Sequence, residues 1–135
     1  MTDMTMTMKL NHLSFPSTDV AATAAFFVQH LGCTGATHGP GSCILKRPGF
    51  DIVIDDARGK DLTWPRDFHI GFELPSVEAV RTLHDRFRND GVEIETAFFK
   101  HARGSRFFCR APGGVLVEIN TRADAEEAWR GSFDN

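Results

Sequence analysis

Two histidines and a glutamate hold the most suggestive chemistry in this sequence: His12, His69 and Glu118. Two imidazoles and one carboxylate form the facial donor set associated with non-haem Fe(II), in which coordination positions stay open to substrate. The same nitrogen and oxygen donors suit Mn, Zn, Co or Ni, so residue type points to a divalent metal without choosing one. All three residues lie far apart along the chain. A local loop site is therefore excluded, and the fold itself must gather them.

Other reactive residues offer less. His101, Arg103 and Arg106 fall in or beside one polar turn, where they could bind an anionic substrate or supply a proton, but a solvated basic loop is the better reading. His30, His38 and His84 sit in helix or loop positions and read as structural or exposed. Three cysteines, Cys33, Cys43 and Cys109, show no C-x-x-C spacing and read as reduced, buried thiols. Gly39-Pro40-Gly41 and Gly113-Gly114 read as turns, because neither leads from a strand into a phosphate-binding helix. Trp64 and Trp129, in polar surroundings, are candidates to cover a pocket or meet a partner chain.

Composition narrows the class. With 135 residues, 41% hydrophobic and 24% charged, and a net charge of −3, the chain fits one globular domain. It has no basic stripe interleaved with aromatics, so nucleic acid is not an expected partner. No apolar run approaches the roughly 18 residues of a membrane span. The stretch Met1 to Met8 lacks the pattern of a signal peptide, and a cytoplasmic location is expected.

The elements that must position the three donors appear as one pattern written twice. A shift of 57 residues carries Asn11-His12-Leu13-Ser14-Phe15 onto Phe68-His69-Ile70-Gly71-Phe72. It carries Asp19 onto Ser76, each an N-cap residue opening a helical run, and both runs end near a glycine, Gly32 and Gly91. Short strand-like stretches follow: Cys33-Thr34 onward, Ser42 to Lys46 and Phe50 to Asp55, then Val92 to Phe99, Ser105 to Arg110 and Val115 to Thr121. Pro112-Gly113-Gly114 before the last stretch reads as a tight hairpin. The expected organisation is one domain over 1–135: module one at about 9–56, a polar linker at 57–67, module two at about 68–122, and a tail at 123–135. The tail reads as a short helix from Ala123 to Trp129 and a loose end.

Strand alternation then sorts the faces. Phe68, Ile70 and Phe72 share one side and His69, Gly71 and Glu73 the other; Leu13 and Phe15 oppose His12 and Ser14. In the closing strand Val115, Val117 and Ile119 face the helix, and Leu116, Glu118 and Asn120 face away. Each of three strands thus turns one donor from its helix. An unpaired carboxylate on a buried face would be costly, and a cation at Glu118 would remove that cost.

Asn11-His12-Leu13 followed by Asp19, Phe26-Phe27 and Leu31-Gly32 resembles the opening of the vicinal oxygen chelate superfamily, which contains glyoxalases, extradiol dioxygenases and bleomycin resistance proteins. Phe68-His69-Ile70 followed by Leu83 to Ile94, and Ala111-Pro112-Gly113-Gly114 ahead of Glu118, resemble its second module and closing hairpin. The resemblance covers about residues 9 to 122. It implies an α+β fold of two βαβββ modules, with curved mixed sheets around a metal site, and His12, His69 and Glu118 as the ligands. Glyoxalase I carries a fourth ligand; its place matches Val53 here, flanked by Asp51 and Asp55. Extradiol dioxygenases and fosfomycin-modifying enzymes also rely on a tyrosine, and this chain has none.

The expected function is a metal-dependent enzyme acting on a small substrate by bidentate oxygen chelation, as a lyase or isomerase of glyoxalase type or as a dioxygenase. The alternative is a non-catalytic binding protein of antibiotic-sequestering type on the same fold. A homodimer is expected, in which modules are exchanged between chains or paired within one.

Overall fold

The computed structural model describes residues 6–133; most of Met1 to Met8 and the last two residues of the tail lie outside the described residues. Contacts divide the chain into two compact units, one through Leu62 and one from Thr63.

Unit one runs β1 (His12–Ser17), α1 (Val20–His30), β2 (Gly35–Gly39), β3 (Ser42–Lys46) and β4 (Asp51–Asp56). Its sheet has the order β1-β4-β3-β2, with β1 and β4 parallel and the other pairs antiparallel. The Asp19 carboxylate accepts from the Ala22 N–H and so caps α1, satisfying a donor that the first helical turn leaves without a partner. Gly32 (φ +77°) follows the helix in the left-handed region. Phe15, Phe27, Leu45, Ile52 and Ile54 are buried between helix and sheet, each contributing about 1.5–3 kcal/mol of hydrophobic stabilisation.

Unit two repeats the plan with β5 (His69–Leu74), α2 (Val77–Asn89), β6 (Glu93–Ile94), β7 (Arg106–Arg110) and β8 (Leu116–Thr121). The order β5-β8-β7-β6 again sets its first and last strands side by side and parallel. The Ser76 hydroxyl caps α2 at the Ala79 N–H. Val80, Phe87, Phe107, Val117 and Ile119 form the core beneath α2, with Phe87 and Phe107 packed edge to face. The turn between β7 and β8 uses Gly113 and Gly114, both at positive φ. These are two four-stranded mixed sheets, each with one helix, in an α+β chain.

Three expectations change. The stretch Val92 to Phe99 pairs as a strand only at Glu93–Ile94; beyond it Phe99 makes an isolated bridge to Arg106. The tail carries a single 3-10 turn, Glu127–Trp129, in place of a helix from Ala123. The end expected to be loose is tied back as far as Ser132: Arg130 Nε donates to the Ala125 carbonyl and Ser132 N–H to the Trp129 carbonyl, whose oxygen also accepts from Arg122. Trp64 is held within unit two. Its indole N–H donates to the Gly113 carbonyl at 3.2 Å while the ring stacks on Phe68, so it clasps the β7–β8 turn.

Candidate metal centre

Register fixes which side chains share the open face of unit two. Gly71, Glu118 and Phe108 form one row across β5, β8 and β7, and Glu73, Asn120 and Arg106 form the next. His69 opens its strand one row earlier, opposite Leu116. Its Nε2 lies 3.5 Å from Glu118 Oε1.

The two rings of the repeat are oriented in the same way. His69 Nδ1 lies 2.9 Å from the Asp67 backbone carbonyl, which can only accept, so the ring proton sits on Nδ1. His12 Nδ1 lies 2.6 Å from Asn11 Oδ1, an amide oxygen, and the same assignment follows. A neutral imidazole protonated at Nδ1 presents a bare lone pair at Nε2. In its neutral form His69 therefore aims an electron pair at a carboxylate oxygen, whereas the doubly protonated ring pairs with Glu118 directly. A cation placed there satisfies both, and holding the second ring nitrogen on a carbonyl is how metal-bound histidines are oriented. The donor chemistry fits a divalent metal.

Glu118 is 6% exposed and is not unpaired. Arg106 Nη1 donates to its Oε1 at 2.9 Å, and Asn120 Nδ2 donates to its Oε2. Arg106, 5% exposed, is anchored in turn by its Nε bond to the Gly104 carbonyl at 3.0 Å. This corrects two expectations. Arg106 is no solvated loop residue, and the burial cost of Glu118 is offset by a guanidinium, so that cost alone does not call for a metal. One lone pair on each carboxylate oxygen remains available beside these bonds.

Other expected residues separate cleanly. Among the described residues no three His, Cys, Asp or Glu side chains form a metal-holding group. His69 and Glu118 are brought together in unit two, while His12 lies on β1 of unit one. Within unit one, Val53 occupies on β4 the register position that Glu118 occupies on β8, opposite Ser14 where Glu118 faces Gly71. Asp51 is ion-paired to Lys46 at 2.7 Å, a bond that holds its carboxyl below the usual range. Asp55 accepts from the Ser14 hydroxyl. His101 does not line the hollow at Glu118; its Nδ1 accepts from Arg103 N–H and closes the turn. Cys33, Cys43 and Cys109 are free and buried, and burial pushes the Cys109 thiol up to about 12.

Sequence reasoning passed over Asn120 and Arg122 as site residues. The signal was present: the period-two series 116, 118, 120, 122 continues the face that carries Glu118.

The sequence profile of the Glyoxalase/Bleomycin resistance protein/Dioxygenase superfamily matches residues 9–119. The chain belongs to that superfamily. Solved structures similar to this superfamily member include a possible glyoxalase from Bacillus cereus, with TM-score 0.70, 28% identity, and coverage of 84% of this chain and 99% of the other. A glyoxalase/bleomycin resistance protein/dioxygenase family enzyme from Burkholderia phytofirmans PsJN gives TM-score 0.73 at 17% identity, covering 84% and 98%. Lactoylglutathione lyase from Agrobacterium tumefaciens gives 0.66 at 16%, covering 83% and 92%. At such identities the last two establish the fold alone. No protein of curated function matches the chain. Among the described residues, no helix is long and apolar enough to cross a membrane.

Proposed function

We propose that this superfamily member is a metal-dependent enzyme of the glyoxalase or dioxygenase type, acting on a small substrate through two of the substrate's oxygens, with His12, His69 and Glu118 as metal ligands. The observation that carries the reading is His69 Nε2 at 3.5 Å from the Glu118 carboxylate, with Nδ1 held on the Asp67 carbonyl. A bound divalent ion would act as a Lewis acid on the chelated oxygens. The chain's own residues prepare that site. Asp67 orients His69, Phe108 supports the ring edge to face at 5.5 Å, and Arg106 and Asn120 hold the carboxylate. A second hollow of about 210 Å³, bordered by His69, Phe108 and Leu116, gives an apolar flank for the substrate body.

One observation favours the rival reading of a non-catalytic small-molecule binder: the Arg106 guanidinium already neutralises Glu118. Elemental analysis after purification without chelator separates the two. The enzyme reading expects one divalent ion per site in the wild type and its loss, without unfolding, in His12→Ala, His69→Ala and Glu118→Gln. A metal-free wild type, or full metal content in all three variants, sinks it.

The proposal includes a homodimer in the cytoplasm. Light scattering checks the assembly, and a 15.0 kDa monomer would refute it. Mixing His12→Ala chains with Glu118→Gln chains tests module exchange: shared sites regain metal in the mixed dimer, whereas sites within one chain do not.

A further inference from the structure

Unit two contains a cavity of about 130 Å³ lined by His69, Glu118, Asn120 and three arginines, Arg103, Arg106 and Arg122, with Phe133 at its side. Three guanidinium groups there face a single carboxylate. Glu118 answers Arg106, and nothing of opposite sign on the lining answers the other two. Arg103 lies over the Trp129 ring at 5.7 Å, and Arg122 over the Phe133 ring at 5.0 Å, contacts that place the charges without neutralising them. Arg122 gives one terminal nitrogen to the Trp129 carbonyl, yet its Nε is buried and has no hydrogen-bond partner among the described residues. A buried donor left without an acceptor is rare in folded proteins and asks for an explanation. The lining is short of negative charge.

We infer that this cavity binds an oxyanion group, the carboxylate or phosphate end of a small substrate, through Arg103, Arg106 and Arg122. Guanidinium forks match such oxyanions geometrically, and charge-assisted bonds are the strong class of hydrogen bond. The space, equal to roughly four water molecules, accepts one such group and little more. The rest of the substrate then lies toward His69 and Glu118, which line the same cavity. This names a substrate class for the metal site proposed above and rests on that reading for the reaction, but not for the binding of the anion itself.

Isothermal titration of inorganic phosphate, and separately of acetate, into chelator-treated protein tests it. One saturable site is expected, weakened by about tenfold or more in Arg122→Gln and in Arg103→Gln. Metal content and melting temperature should stay at wild-type values in both variants. His69→Ala removes a metal donor and no arginine, so it should keep phosphate binding; the two proposals can therefore fail separately. Tighter binding of phosphate than acetate, or the reverse, supports the site and says which oxyanion it prefers. Absence of saturable binding to either anion, or unchanged affinity in both arginine variants, overturns the inference.

Discussion

Arg106 and Glu118 stand on neighbouring antiparallel strands, one row apart on the same face, with Nη1 2.9 Å from Oε1 and both side chains buried. Removing one member of such a pair leaves the other charge uncompensated, which costs more than the intact pair contributes. Arg106→Met should destabilise the protein by about 3 kcal/mol, read as a shift in denaturant midpoint. Saturating divalent metal should recover part of that loss, because the ion then answers Glu118 in place of the guanidinium. A loss equally large with and without metal would mean that no ion reaches the carboxylate.

Gly104 fixes the turn that carries Arg103 and anchors Arg106. Its φ is +114°, and any Cβ there would overlap the Thr121 carbonyl oxygen. Two penalties, strain and overlap, fall on the same substitution. Gly104→Ala should lower stability by about 2 kcal/mol or more and weaken phosphate binding with it. An unchanged melting temperature would refute the close approach.

Asp124 ties the start of the tail to β7, accepting from Ser105 N–H at 2.9 Å and from Ser105 Oγ at 2.6 Å. Burial raises its pKa, but the bonds from Ser105 prevail and the carboxyl lies below its ordinary range. A carboxyl whose folded pKa is depressed contributes stability that is complete above the unfolded value, about 3.9, and is lost as pH falls through the folded value. Denaturation midpoints followed from neutral pH to below about pH 4 should therefore drop less steeply in Asp124→Asn than in wild type. Parallel curves would show that this carboxylate does not contribute.

His12 and His69 should both carry their proton on Nδ1. Long-range nitrogen–proton correlation spectra of the metal-free protein above the imidazole titration range report this directly. Finding the proton on Nε2 of His69 would place a hydrogen between the ring and Glu118 and remove the argument for a cation there.

Local rules were legible where neighbours along the chain decide. Asp19 and Ser76 cap their helices because a capping side chain reaches only three residues on. The facing of His69 and Glu118 followed from alternation, which any strand obeys. Val53 stands opposite Ser14 in the β1–β4 register as Glu118 stands opposite Gly71 in β5–β8, an equivalence that the repeat makes legible. The solvated reading of Arg106 fails because its place beside a polar turn says nothing about a glutamate on the neighbouring strand. The bond from Trp64 to Gly113 was not legible for the same reason, since Gly113 lies at the far end of the module.

The sequence by itself determined the repeated βαβββ plan and the face on which each donor sits, since these rest on periodicity, caps and turns within a few residues, and its motifs carried the resemblance to the superfamily. Only the tertiary structure decided that Glu118 is neutralised by Arg106, that the imidazoles of His12 and His69 are oriented through Nδ1, and that three arginines surround one small cavity. The first and last depend on strand register and on side-chain reach across it; the Nδ1 contacts, to Asn11 and Asp67, are local and depend on the rotamers the fold selects. Spacing along the chain does not encode these quantities.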